Sequence, residues 1–134
     1  MRRLFMVIAV LLVIYAPAFA LSDSEYRKMM KDPEFSAADR ELTSAYNEAK
    51  RIMSESEFAG FRRDQRDWIA KQRDVRAKTY MEDGYSRVEA YTKATLERAR
   101  GIRARLHVIQ MVLGMLSLNF WVKKSTPHFA KLVL

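Results

Sequence analysis

The sequence has 134 residues, 49% of them apolar and 30% charged, with 4 Gly, 3 Pro, no Cys and a formal net charge of +8. This balance excludes a disordered chain and leaves room for one small domain with a single core. The lack of cysteine excludes disulfides, thiolate chemistry and Cys-ligated metal.

Residues 1–20 have the three parts of a secretory signal in order. Arg2 and Arg3 form a positive start, Leu4 to Ala16 is an apolar run too short to span a bilayer, and Ala18-Phe19-Ala20 after Pro17 is a cleavage site. The expected mature chain begins at Leu21 and is periplasmic or secreted. Arg2 and Arg3 leave with the signal and no acidic residue does, so its charge is +6. A basic balance suits an anionic partner, and equally serves solubility.

The rest of the chain reads as helices. Ser22-x-x-Glu25, Ser54-x-x-Glu57 and Ser86-x-x-Glu89 fit the capping box, in which hydroxyl and carboxylate satisfy free N–H groups reciprocally, and Ser36-x-x-Asp39 is a weaker version. A short first helix is expected from Asp23 to Lys31, ending before Pro33. A second is expected from Ala37 to Met53, with Leu42, Ala45, Tyr46, Ala49 and Met53 on one face. A third, from Glu57 to Glu82, carries Phe58, Phe61, Gln65, Trp68, Gln72 and Val75 along one seam and stops at Asp83-Gly84. The fourth, from Arg87 to about Arg105, has Val88, Tyr91, Thr95, Ile102 and Leu106 as its stripe. Short loops imply antiparallel neighbours. The expected fold is therefore all-α: a small antiparallel bundle of three to four helices over residues 21–105, plus an apolar C-terminal helix and tail over 106–134.

Two readings apply to Leu106–Val122, a mostly apolar run followed by Lys123 and Lys124. The favoured one is a buried amphipathic helix that closes the domain. The other is a stop-transfer anchor making membrane contact, with the lysine pair on the cytoplasmic side.

Catalytic chemistry finds no foothold. His107 and His128 lie apart in the tail, and there is no Ser/His/Asp set in the helical middle, no HExxH and no glycine-rich phosphate loop. No enzyme, no cofactor and no metal site is expected. The basic run from Arg62 to Lys78 is interleaved with Asp64, Asp67 and Asp74 at i,i+4 spacings, which describes a solvated helix face rather than a nucleic-acid surface. Trp68 reads as a core anchor. Gln65, on the same seam, needs a polar partner if buried, because an unsatisfied amide costs ~1–3 kcal/mol.

These residues also carry a resemblance. Asp32-Pro33-Glu34-Phe35 followed by Ala38-Asp39-Arg40-Glu41-Leu42-Thr43-Ser44-Ala45-Tyr46 is similar to the first conserved stretch of the LprI-type lysozyme inhibitor family. Gln65-Arg66-Asp67-Trp68-Ile69 with Arg73-Asp74 resembles its second, and Thr95-x-x-Arg98-Ala99-x-x-Ile102 its third. The blocks occur in the family's order and cover about Asp32 to Ile102. Three departures stand out: Thr43 replaces a preferred Asn, Arg73 follows Trp68 by five residues where four is common, and Met30, Ala77 and Ala90 occupy places where the paired cysteines often found in that family are expected.

The resemblance implies an exported helical domain that binds lysozyme and blocks it by occlusion. The residues it singles out are Asp39, Leu42, Tyr46, Gln65, Trp68, Arg73 and Arg98. A blocking helix face would lie near Gln65, Arg73 and Arg98, and a blocking loop at Glu82–Arg87. Asp39 and Arg98 have an alternative reading as an ion pair between helices. The alternative function is a structural envelope protein held at the inner membrane by its apolar tail, binding anionic lipid or wall polymer. The oligomeric state is left open.

Overall fold

The computed structural model describes residues 21–125, and the side chains of 21–120. The expected signal, His128 and the final apolar residues lie outside this range. Among the described residues the chain is all-helical, with no strand.

Helix α1, Asp23–Met29, starts at a Ser22–Glu25 capping box. Helix α2 spans Pro33–Ile52, four residues earlier than the expected start at Ala37. The reason is local. Pro33 has no N–H to lose and a backbone angle already helical, and the Asp32 carboxylate accepts from the N–H groups of Glu34 and Phe35, each at 3.0 Å. Ser36 therefore sits inside the helix, and its hydroxyl accepts from Arg40 instead of capping.

Helix α3, Glu55–Asp67, begins at the expected Ser54–Glu57 box. It leads through one π-helical turn, Trp68–Gln72, into α4, Arg73–Glu82. The turn corrects the expected seam. In a regular α-helix Gln72 and Val75 would follow Trp68 inward, yet both are exposed, Val75 by 62%. The Arg73 N–H instead reaches the Trp68 carbonyl, five residues back. That wider turn moves the buried face to Arg73, Ala77 and Tyr80. The five-residue spacing between Trp68 and Arg73 is thereby absorbed within one continuous rod.

The rod ends where Asp83-Gly84 signalled. Gly84 has a φ of 95°, which strains any residue with a Cβ. The N–H groups of Gly84 and Tyr85 close on the carbonyls of Met81 and Tyr80, and the rings of Tyr80 and Tyr85 meet at 6.0 Å, completing a Schellman cap.

Helix α5 then runs unbroken over Arg87–Ser125, starting at the Ser86–Glu89 box. The expected division between a fourth helix and a separate tail helix is absent, since no proline or cap interrupts the chain at Arg105–Leu106.

Two clusters make up the core. In one, Ala45 and Ala49 of α2 and Met53 just past its end pack with Phe61 of α3 and with Ala99, Ile102 and Leu106 of α5. In the other, Met29 and Phe35 pack with Ala77, Ala90 and Tyr91. Alanines along the facing stripes of α2 and α5 allow close approach. Polar ties join the helices at the edges. Arg103 reaches Glu41 at 2.9 Å, Arg87 reaches Glu25 at 3.1 Å, and Arg76 pairs with Glu97.

The core ends at Leu106. From Val108 to Phe120 every large apolar side chain except Ile109 is 49–69% exposed. The expectation of a buried amphipathic helix that closes the domain is not met: α5 continues beyond α2 and α3, and among the described residues nothing covers it past Ile109. Among the described residues no helix is long and apolar enough to cross a membrane.

The caps make stability acid-sensitive. Hydrogen bonds from the Ser22 backbone and hydroxyl hold Glu25 below its ordinary 4.5, and those from Ser54 and Ser86 do the same for Glu57 and Glu89. A carboxylate with a depressed folded pKa stabilises fully above its unfolded value and loses that contribution as pH falls through the folded one. The melting temperature, followed by circular dichroism, is expected to hold level above pH 4.5 and fall below it. An unchanged melting temperature well into acid would show that the caps do not contribute.

Candidate functional site

Six of the seven residues singled out by sequence line one groove, between α2 and the α3–α4 rod. Asp39, Leu42, Thr43 and Tyr46 recur at i, i+3, i+4 and i+7 on α2 and form one wall. Arg62, Gln65, Arg66 and Ile69 recur at the same spacing on the rod and form the other, around a cleft of about 340 Å³. An adjoining cleft of about 270 Å³ shares Asp39, Leu42 and Ile69 and adds Tyr26, Trp68, Arg73 and Thr95.

The groove is backed by aromatic rings behind Tyr46. Tyr46 packs on Phe58 at 5.4 Å and Phe61 at 5.6 Å. Its rim is cationic at Arg62 and Arg66, both exposed. Asp39, on the border of the two clefts, accepts from the Tyr26 hydroxyl at 2.7 Å. Burial, with this bond, pushes the Tyr26 phenol up to about 12, so it remains a donor at neutral pH.

Arg73 borders the second cleft. Its Nε stands 3.5 Å from Asp74 without a hydrogen bond, and its guanidinium lies over the Tyr91 ring at 5.9 Å. Tyr91 is fully buried and donates to Asp74 at 2.8 Å; burial, reinforced by that bond, raises its pKa.

Arg98 belongs to the other side of the rod. From α5 its Nε donates to Gln65 Oε1 at 2.9 Å, its Nη2 meets Asp64 at 2.6 Å, and its guanidinium lies over Trp68 at 5.6 Å. The buried Gln65 amide thus finds its partner here. The alternative ion pair between Asp39 and Arg98 is not formed. Asp39 bonds Tyr26, and Arg98 is engaged by Gln65 and Asp64. Arg98 also borders a smaller cleft of about 210 Å³ with Trp68, Arg76 and Glu97. There Glu97 is held below the ordinary carboxylate range by its bond from Arg76 and is bonded by Tyr80 at 3.0 Å.

The Glu82–Arg87 loop is not part of the groove. It lies at the end of the rod, about 25 Å of helix from Gln65. The Lys93 ammonium lies over its Tyr85 ring at 4.3 Å.

Sequence reasoning missed Tyr26, Arg62, Arg66 and Ile69. The last three repeat the helical spacing around Gln65 and were legible, but the alternation of charge presented them as solvent-facing. Tyr26 had no signal, because its role depends on how α1 lies against α2. Of the interleaved charge pairs, Asp67–Lys71 forms at 3.4 Å. Among the described residues no three His, Asp or Glu side chains are grouped to hold a metal ion. Set against protein-family models, curated proteins and solved structures, the chain matches none of them.

Proposed function

We propose that this chain is an exported cell-envelope protein of the lysozyme-inhibitor type, which binds a protein partner and blocks it by occlusion rather than catalysis. Its fold in this reading is a small antiparallel helical bundle of α2, the α3–α4 rod and α5, with an apolar helical extension. One observation carries the proposal: residues of three sequence blocks spread over Asp32 to Ile102 meet around Gln65 and Trp68 of the rod, all but Arg98 along the groove and Arg98 from the opposite side. Asp39, Leu42 and Tyr46 come from the first, Gln65, Trp68, Ile69 and Arg73 from the second, and Thr95 and Arg98 from the third. Further support comes from Ala77 and Ala90, two of the positions where the family's cysteines are expected, which share one core cluster with Met30 packed against it.

Occlusion would use the exposed arginines. Arg62 or Arg66, placed against catalytic carboxylates, gives local charge complementarity, and at short range this outweighs repulsion between two basic proteins. The test is titration of residues 21–134 against a c-type lysozyme at physiological salt, following wall lysis and direct binding. Saturable inhibition near one-to-one is expected, weakened by Arg66→Glu and associating faster as salt is raised. No binding to any lysozyme type rules the reading out.

The exposed end of α5 favours a second reading, a structural envelope protein held at the inner membrane by residues 106–122 and binding anionic lipid or wall polymer. On it the protein stays with the membrane fraction. Full release with the periplasmic fraction counts against it.

A further inference from the structure

The end of α5 has the composition of a core and the exposure of a surface. Its polar positions are ordered: at about 100° per residue, His107, Gln110, Gly114 and Ser117 fall within one narrow seam. Apolar side chains fill an arc of about 220° on the remaining surface, interrupted only by Asn119.

The width of this arc selects its occupant. A packed partner helix covers a stripe of about 100°, so one helix of a second copy would leave half the arc in water. A bilayer interface covers the whole arc. Length then selects the geometry. The apolar run Leu106 to Val122 measures about 24 Å along the axis, short of the ~30 Å hydrocarbon layer. This agrees with the absence of a crossing helix among the described residues.

Charge selects the lipid. From Arg100 to Leu134 there are six Lys and Arg, of which Arg103 is paired with Glu41, and no Asp or Glu. Arg100 and Arg105 are exposed at the root of the extension. Basic residues beside a buried apolar face bind anionic headgroups. The domain does not obstruct this arrangement. Ile102 and Leu106, which hold α5 against the core, fall about 90° or more from the centre of the arc, and Ile109, toward the same edge of the arc, packs on the core, so the body of the protein lies to one side of the immersed face.

We infer that the Leu106–Phe120 part of α5 is a monotopic membrane helix, lying in the plane of an anionic phospholipid bilayer with its apolar arc immersed and the His107–Ser117 seam toward water. This rests on the second reading above and narrows it, from an anchor of unspecified geometry to an in-plane one.

The lack of native cysteine makes a direct test available. Residues 21–134 contain both core clusters and every described helix. In this chain Val112→Cys places a single thiol near the centre of the arc, and Ser117→Cys places one on the seam. Both sites are exposed and outside the core, and circular dichroism checks that each variant keeps its helicity. The chain is floated with vesicles of mixed phosphatidylglycerol and phosphatidylcholine, or of phosphatidylcholine alone, and labelled with a membrane-impermeant maleimide.

The expected result is flotation with the anionic vesicles only, labelling of Val112→Cys slowed by about 10-fold, and labelling of Ser117→Cys near its rate in solution. Flotation with both thiols protected overturns the in-plane geometry and leaves membrane attachment standing. Flotation with neither protected means attachment by charge alone and overturns the insertion. No flotation overturns the inference together with the reading beneath it. Protection of Val112→Cys without vesicles, in a chain that sediments as a dimer, assigns the arc to a second copy.

Discussion

Replacing Arg98 with alanine is expected to cost about 2–3 kcal/mol of folding stability, which for a domain of this size is a fall of roughly 10–15 °C in melting temperature. The cost comes chiefly from what is left behind. Gln65 is only 7% exposed and its Oε1 accepts from Arg98 Nε, so the variant strands a buried amide. Loss of the guanidinium over Trp68 adds about 0.5–1 kcal/mol. The pair with Asp64 adds little, because that carboxylate is half exposed. Removing both polar partners together, as Arg98→Met with Gln65→Leu, is expected to recover most of the loss, since no unsatisfied group then remains. Urea unfolding of the single and double variants measures the coupling. If the double variant is as unstable as the sum of its singles, Arg98 does not act through Gln65.

Deleting Ala70 is expected to be nearly silent, within about 1 kcal/mol, whereas deleting Arg63 one to two turns earlier unfolds the domain or costs well above 3 kcal/mol. Ala70 is exposed within the π turn. Its removal closes that turn to an ordinary α-helical one and leaves Trp68 and Arg73 on the same face at four-residue spacing. A deletion at Arg63 has no wide turn to absorb it. It rotates Gln65 and Trp68 by about 100° away from α5, exposing Trp68 and burying charge. Melting temperature and Trp fluorescence of the two deletions separate the cases. Equal damage from both would mean that the extra residue is required where it stands.

The helix starts and stops were the most legible features of the chain. Each of the three Ser-x-x-Glu signals marks a helix start, and Asp83-Gly84 ends the rod, because capping is settled within four or five residues of backbone. The false start at Ser36 lost to Asp32-Pro33, which satisfies the same N–H groups four residues earlier.

The seam of the rod was legible only as far as Trp68. Beyond it, periodicity assumes an unbroken 3.6-residue turn, and the π turn breaks that assumption. It is needed because Arg73 and Ala77 must face Tyr91 and Ala90 of α5 while Phe61 and Gln65 face the other part of the same helix. The groove was half legible. The residues of each wall recur at helical spacing, but which wall faces which, and that Arg98 approaches Gln65 from behind, depend on how three helices lie against one another.

Local chemistry in the sequence by itself determined the all-helical class, the caps, most of the core stripe of α5 and the membership of the groove walls. Tertiary structure decided the pairing of Arg98 with Gln65, the bond from Tyr26 to Asp39 and the exposure of the apolar end of α5. An apolar run has the same pattern whether it is covered or not. What separates the two is the length of its neighbours: α2 and α3 reach no further along α5 than Leu106 and Ile109, so among the described residues the apolar side chains beyond have nothing to pack against.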